Sequence, residues 1–221
     1  WSVMGENDRQ HRVKLLVDEW AAWYRPGTEA HNTHLLGQQS TMRDAVLAAM
    51  SLNVFNRHAD KIAMANVAQL INCLQSLFLA SEDKFVTTPT FHVFELYATH
   101  QGGQSVRTLC SSPRPSYTRN GQPATIRGLS ESASLTDKQL VLTVANPDPM
   151  QARLGEIAIR GANPKSIRVT TLAAKDIHAH NSFEQPRSVE PVSVQAASPR
   201  DGALVHEFPP ASVTAFQITL E

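Results

Sequence analysis

The sequence predicts two architectures in one chain, an α/β part over residues 1–104 and an all-β sandwich over residues 105–221. Two of the 13 prolines lie before residue 105 and eleven after it, and proline resists helix interiors. Before residue 105, strand-like apolar runs alternate with helical spacing. After it, short segments with partial alternation recur between turns, which is typical of an antiparallel sandwich.

The first predicted element is a strand over residues 12–20 that ends in two acids. Its apolar run at 15–17 is typical of a parallel strand covered on both faces. Side-chain alternation puts Glu19 on the face of Leu15 and Val17, and Asp18 on the opposite face. The two acids are therefore not expected to act as a catalytic pair.

A polar loop over residues 25–40 leads to a predicted helix of about 17 residues, judged from the helical period. Thr41 and Asp44 have the spacing of a capping box, with Asp in place of the usual Glu. Apolar residues then repeat every three or four positions from Met42 to Phe55. This pattern predicts one buried helical face.

A second strand is predicted over residues 62–70 and a second helix over 90–99, with Phe91, Phe94 and Tyr97 on one side of that helix. Asn66 and Gln69 interrupt the apolar strand. A buried amide needs hydrogen-bond partners, which either protein groups or a ligand can supply. Both alternatives remain open for these two residues.

Eight short strands are predicted in the second part of the chain. They cover residues 106–110, 124–128, 139–146, 155–160, 166–172, 192–195, 203–208 and 212–220. Asn-Pro, Asp-Pro and Asp-Gly pairs supply turns between them.

Composition excludes several partners. Lys plus Arg equal Asp plus Glu at 20 each, so no net field draws the chain to nucleic acid or to anionic lipid. The apolar runs fall far short of the roughly 20 residues that span a bilayer. No basic segment followed by an apolar one opens the chain, so we expect no signal peptide in these residues, and because the chain does not begin with Met we expect a cut N terminus.

The residues also give no support for a metal or cofactor. Cys73 and Cys110 lack the spacing of a metal knuckle or a disulfide framework, and buried free thiols are expected. The pairs His31/His34 and His178/His180 lack the context of a metal site, so solvated or loop-structuring histidines are favoured. A phosphate loop and a serine-nucleophile elbow are both absent from the sequence.

Glu19 stands where a catalytic acid would be placed in a barrel of strands and helices, at the C-terminal end of a strand. Trp20, Trp23 and Tyr24 follow it. Aromatic faces stack on sugar rings, and carboxylates and amides take the hydroxyls. The alternative is an ordinary surface acid beside rings that fill a core.

Four motifs in order resemble retaining α-L-arabinofuranosidases of glycoside hydrolase family 51. Residues 16–26 (LVDEWAAWYRP) resemble the family's strand-seven motif, and residues 57–72 (RHADKIAMANVAQLIN) resemble the stretch leading into strand eight. Residues 88–97 (TPTFHVFELY) are similar to the following helix, and residues 179–186 (AHNSFEQP) to a motif of the terminal sandwich. The resemblance covers nearly the whole chain.

The resemblance implies a role for each matching residue. Glu19 matches the nucleophile, which forms a covalent arabinosyl-enzyme that water hydrolyses with retention. Trp23 and Gln69 match positions that line the arabinose-binding site. Trp20 and Tyr24, together with Asn66, are expected to support its wall.

Retention needs a second carboxyl about 5 Å from the first, and in the family it belongs to an Asn-Glu pair. That dipeptide does not occur in this sequence. Glu29 is a poor substitute, because a polar loop cannot raise its pKa by burial. The acid/base residue is therefore expected in an N-terminal half of the same enzyme.

The resemblance further implies that residues 1–104 are the last two strand-helix units of a (β/α)8 TIM barrel and residues 105–221 a jelly-roll-like β-sandwich. The expected activity releases terminal α-L-arabinofuranosyl residues from arabinan or arabinoxylan oligosaccharides, in a homo-oligomer, with a cytoplasmic location favoured over secretion. The alternatives are a non-catalytic carbohydrate-binding or structural module and an endo-glucanase.

Overall fold

The structure is a computed structural model that describes residues 2–26, 28, 36–194 and 203–221. Its helices are α1 Ser2–Asn7, α2 Met42–Arg57 and α3 Pro89–Tyr97, the last followed by a 3-10 turn at Ala98–His100. The strands, numbered in chain order, are β1 Leu15–Trp20, β2 Ile62–Val67, β3 Phe78–Ser81, β4 Lys84–Thr87, β5 Gln104–Val106, β6 Ser116–Arg119, β7 Gln122–Thr125, β8 Ser130–Thr136, β9 Gln139–Asn146, β10 Arg153–Ala158, β11 Pro164–Leu172, β12 Val192–Val194, β13 Ala203–Phe208 and β14 Ser212–Leu220.

Strands β1 and β2 form a two-stranded parallel sheet, with Leu15 opposite Ile62 and Trp20 opposite Val67. The parallel pairing agrees with the predicted strand type. The predicted cover on both faces is wrong for these residues, because Leu15 is 47% and Leu16 58% exposed. Within the described ranges β2 is the one strand that pairs with β1, so much of this apolar run stays in contact with solvent.

Helix α2 begins where the capping box predicts. The Thr41 backbone N–H donates to the Asp44 carboxylate at 2.8 Å. The next two backbone N–H groups, of Met42 and Arg43, donate to the carbonyls of residues 179 and 177, respectively. The predicted apolar face is buried from Met42 to Ala49, and Leu52 and Phe55 are partly buried.

Two antiparallel sheets form the predicted sandwich. The larger has the strand order β12-β11-β14-β9-β8-β5, and β10 pairs with β13 in the smaller. Phe208 of the smaller sheet and Phe216 and Ile218 of the larger one belong to a core between the two sheets. The opposite face of the larger sheet packs against α2 and α3, so the larger sheet lies between two cores.

That second core crosses the predicted domain boundary. It joins Met42 and Ala45 of α2 and Val93 of α3 to Val213 and Ala215 of β14. The two predicted parts therefore pack against each other through buried apolar side chains. The boundary at residues 104 and 105 stays a prediction.

Several predicted strands differ in their bounds. Strands β9, β13 and β14 have the predicted ends, but the strand predicted at 106–110 ends at Val106, where the chain leaves the edge of the sheet after pairing with Ala133. The hairpins β3–β4 and β6–β7 and the strand β8, which lies between β9 and β5, include stretches that the sequence did not mark as strands. The last residue of the strand predicted at 192–195 lies outside the described residues.

The two thiols are free, as predicted, but they are not fully buried. Cys73 is partly buried and Cys110 is exposed. Both lie in irregular segments, after β2 and after β5. In the described part of the chain, no helix is long and apolar enough to cross a bilayer.

Candidate active site

The three residues predicted to bind or react with substrate line one cavity. Glu19 near the end of β1, Trp23 in the following segment and Gln69 after β2 surround a volume of about 400 Å³. Because β1 and β2 are parallel, their C-terminal ends meet at the same edge, and this brings residues 50 positions apart together. Glu19 is the one carboxyl among the described residues that line this cavity.

The site is open to solvent. Glu19 and Gln69 are exposed, and Trp23 is 60% exposed, an unusual position for a large ring. Gln69 follows a cis peptide bond from Ala68. A carboxylate, an amide and an aromatic face that all reach solvent are free to contact a ligand.

Trp20 forms the wall of the cavity on the side of the helices. Its ring stacks on Phe94 at 6.1 Å between centroids and meets Phe55 edge-on at 5.4 Å. The ring is thus held by α2 and α3 while it also borders the cavity. This position fits the supporting role expected of Trp20.

Tyr24 turns away from the cavity towards the start of α2. The Arg43 guanidinium lies over its ring, 3.4 Å from the centroid. Burial, together with the nearby Asp44 carboxylate, raises the pKa of the Tyr24 phenol to about 12. Tyr24 is therefore a neutral hydrogen-bond partner of Asp44 at ordinary pH.

The expectation that Asn66 and Gln69 are buried amides is wrong, because both are exposed. They lie near the solvent-exposed C-terminal end of β2, so they do not need the protein or ligand partners that a buried amide would need. Asn66 is not among the residues that line the cavity, whereas Gln69 is.

Sequence reasoning missed two other polar residues, Gln38 and Gln75. Both are buried, and both hydrogen-bond to the backbone of Ala22, between Glu19 and Trp23. Neither belongs to a periodic pattern or to a quoted motif, and their partners are 16 and 53 residues away. No signal in a single sequence would have identified these long-range contacts.

Other sequence candidates do not join the site. Glu29, His31 and His34 lie outside the described residues. His180 makes a local contact, with its Nδ1 atom 3.0 Å from the carbonyl of His178. In the described ranges there is no group of three His, Cys, Asp or Glu residues that could hold a metal ion.

A second cavity, of about 760 Å³, lies between the two sheets of the sandwich. It is mostly apolar, with Glu131 at its border accepting hydrogen bonds from Thr108 at 3.0 Å and from Arg127 at 3.5 Å. None of the predicted site residues lines it. The three residues predicted to bind or react with substrate line the first cavity and not this one.

A strand-end carboxylate beside exposed aromatic and amide groups is typical of a site that binds or hydrolyses carbohydrate. The family model of the α-L-arabinofuranosidase C-terminal domain matches residues 18–212. The chain belongs to this family, the C-terminal domain of glycoside hydrolase family 51 enzymes, and the resemblance read from the four motifs is confirmed.

Relatives of known sequence and structure agree with this assignment. The chain is 31% identical to an intracellular exo-α-L-arabinofuranosidase of Bacteroides ovatus over 98% of its own length and 42% of that protein. It matches the crystal structure of a family 51 arabinofuranosidase from Xanthomonas axonopodis pv. citri with a TM-score of 0.88 and 29% identity, over 99% of this chain and 43% of that one.

A third similar protein was solved with arabinose bound. This α-L-arabinofuranosidase from Thermotoga maritima is 27% identical, with a TM-score of 0.80 over 97% of this chain and 45% of that one. The chain thus spans less than half the length of each of these relatives.

Proposed function

We propose that this chain is the C-terminal part of a retaining α-L-arabinofuranosidase and that Glu19 is its nucleophile. The observation that carries the proposal is the meeting of Glu19, Trp23 and Gln69 in one cavity at the ends of two parallel strands. The proposed substrates are arabinan and arabinoxylan oligosaccharides, from which a terminal arabinofuranosyl residue is released.

The proposed reaction has two displacements. The Glu19 carboxylate attacks the anomeric carbon, the glycosidic bond breaks, and the leaving oxygen takes a proton from a second carboxyl group. Water then gives a proton to that group and displaces the Glu19 ester, so the configuration is retained. Trp23 is proposed to pack against the sugar and Gln69 to hydrogen-bond to a hydroxyl.

The second carboxyl group is proposed to come from an N-terminal half of the same enzyme. A (β/α)8 barrel needs around 250 residues, and β1–β2 with its two helices supplies a quarter of the eight strands. Exposure of Leu15, Leu16 and Met64 on this small sheet supports the proposal, because such a surface is normally covered. Residues 1–104 would then be the last two units of the barrel.

Location and assembly are part of the proposal as well. Relatives from Bacteroides ovatus, Streptomyces lividans and Bacillus subtilis are named intracellular arabinofuranosidases, which supports an intracellular location here. A homo-oligomer is proposed from the family resemblance.

The test is Glu19→Gln in the complete enzyme, assayed on an aryl α-L-arabinofuranoside. Loss of the nucleophile should lower kcat by about 10³-fold or more and leave the fold intact, because Glu19 is exposed. Asp18→Asn is the matched control, since this neighbouring acid is also exposed but does not line the cavity. It should keep most of the activity.

Azide rescue separates a nucleophile from a merely nearby acid. In Glu19→Ala, azide should enter from the vacated face and give an arabinofuranosyl azide of inverted configuration. Unchanged activity in Glu19→Gln would overturn the proposed role. An inactive complete enzyme that still binds arabino-oligosaccharides would favour a binding module instead, and cleavage of internal glucan bonds would favour an endo-glucanase.

A further inference from the structure

Two buried glutamine side chains hold the backbone between Glu19 and Trp23. The Ala22 N–H donates to Oε1 of Gln75 at 3.1 Å, and Nε2 of Gln38 donates to the Ala22 carbonyl at 3.0 Å. Residues 21–25 are in neither a helix nor a ladder, so these side chains take the place of a neighbouring strand. Glu19, Ala22 and Trp23 all line the same cavity.

The second contact of each glutamine ties this segment to the first turn of helix α2. Nε2 of Gln75 donates to the Asp44 carbonyl at 2.6 Å, and Nε2 of Gln38 lies 3.4 Å from the Asp44 carboxylate. Asp44 itself completes the capping box of α2. The backbone after Glu19 is thereby linked to α2, whose buried apolar residues pack with α3 and β14 in the core on the helix side of the larger sheet.

A fifth hydrogen bond fixes the backbone on the C-terminal side of Trp23. Oε1 of Gln38 accepts a hydrogen bond from the Tyr24 N–H at 3.0 Å. The residues before and after Trp23 are both fixed, although the Trp23 ring itself is mostly exposed. Gln75 is fully buried and Gln38 nearly so. Removing either amide would leave buried hydrogen-bond partners unsatisfied, which costs free energy.

We propose that Gln75 and Gln38 are positioning residues for the reaction, which rests on the proposed role of Glu19. A nucleophile must be held within about 0.5 Å of its productive position, and this precision comes from groups behind it. The glutamines provide that support through the Ala22 and Tyr24 peptide groups, fixing the Glu19 carboxylate and the Trp23 ring relative to each other.

The test replaces each glutamine by methionine, of similar length but without the amide, in the complete enzyme. With an aryl α-L-arabinofuranoside, Gln75→Met should lower kcat about 10- to 100-fold, as expected when reacting groups move by up to 1 Å. Gln38→Met should also raise KM, because it frees both neighbours of Trp23. Gln75→Asn and Gln38→Asn are milder variants in case the methionine proteins do not fold.

Asn146→Leu is the matched control. Asn146 is another fully buried amide that holds backbone groups, donating to the carbonyls of Gln151, Phe208 and Pro209. It lies in the sandwich, so its loss should lower the unfolding temperature without changing kcat or KM in the folded protein.

The outcomes separate this proposal from the one on which it rests. Glutamine variants that lose stability as Asn146→Leu does, yet keep wild-type kcat and KM, would overturn the positioning role while Glu19→Gln remains inactive. If Glu19→Gln keeps its activity, the proposed role of Glu19 as nucleophile is wrong, and the positioning role that rests on it is wrong as well. A fall in kcat for the folded glutamine variants, with an unaffected Asn146→Leu, supports the proposal.

Discussion

At the scale of single residues, the buried His100 links pH to stability. Its Nδ1 atom lies 2.7 Å from the Ser134 hydroxyl and its Nε2 atom 3.1 Å from the Thr143 hydroxyl. Desolvation lowers the pKa of the ring to about 4. The neutral ring is therefore the form that suits the folded protein, with one nitrogen donating and the other accepting.

This lowered pKa predicts a loss of stability in acid. The unfolded chain takes up a proton at the ordinary histidine pKa of about 6.5, whereas the folded protein takes one up only near pH 4. The stability that the neutral His100 ring supports is therefore fully present above pH 6.5 and is lost as the pH falls towards 4. The full effect is about 3 kcal/mol, from 1.36 kcal/mol per pKa unit. Urea unfolding of the wild type and His100→Gln at pH 7.5 and 4.5 measures it.

The difference between those two proteins is the informative quantity. Burial also lowers the pKa of His206, and that residue adds acid sensitivity to both proteins alike. The His100→Gln protein should have the shallower pH dependence. Equal slopes in the two proteins would contradict the argument.

At this scale, sequence reasoning identifies residues that are marked by their immediate neighbours in the chain. Glu19 stood out as a candidate because it lies near the end of an apolar strand next to aromatic residues, but the family resemblance was needed to propose it as the nucleophile and Trp23 as a residue of the arabinose-binding site. Gln69 needed the family resemblance, since its own surroundings suggested a buried amide and the structure exposes it. Gln38 and Gln75 act on distant backbone, which no local pattern encodes.

At the scale of elements, polar strands were the main difficulty. Strand β9 is mostly apolar and its observed ends agree with the prediction, but β8 begins Ser-Glu-Ser-Ala-Ser and has no apolar run. It is buried between β9 and the edge strand β5 because its hydroxyls have partners there. Ser132, for example, donates to Asn53 of α2 at 2.7 Å.

The start of helix α3 gives a prediction at this scale. The Thr88 side chain accepts from the Phe91 N–H at 3.3 Å and donates to the Ser76 carbonyl at 2.7 Å, and Thr88 is fully buried. Thr88→Val keeps the shape but removes both hydrogen bonds, so we expect a loss of about 1–2 kcal/mol. The midpoint of thermal unfolding should fall by several degrees.

Thr88→Ser is the control for that substitution, because it keeps the hydroxyl and removes a methyl group. It should unfold at a temperature closer to the wild type than Thr88→Val does. If the valine protein is the more stable of the two, packing of the methyl group outweighs the cap, and the assigned role of the hydroxyl is wrong.

At the scale of the whole molecule, the larger sheet of the sandwich joins the parts that the sequence distinguished. The change in proline density at residue 105 lies near the end of the last described helical turn, at His100, after which the described elements are strands. It cannot show that Val213 and Ala215 of the last strand pack against α2, because that contact joins residues more than 160 positions apart. A change in composition locates a change in secondary structure and not the limits of a core.

The apolar surface of β1–β2 gives the last prediction, which concerns the chain produced by itself. Leu16 and Met64 are each more than half exposed there, and an uncovered apolar sheet edge favours association. We expect this chain alone to self-associate on gel filtration and to lack activity on an aryl α-L-arabinofuranoside. Co-expression with an upstream half that carries an Asn-Glu pair should give a soluble complex and restore activity.

Mass spectrometry of the native sample gives the composition of that complex. Leu16→Lys should weaken both the self-association of the chain alone and its assembly with the upstream half. A charge on this surface opposes self-association, and it would be buried without a partner against the upstream half. A folded, soluble monomer of 24.3 kDa would contradict the need for a companion segment. Because the supply of the second carboxyl and the covering of β1–β2 are assigned to one polypeptide, solubility and activity should be restored in the same experiment.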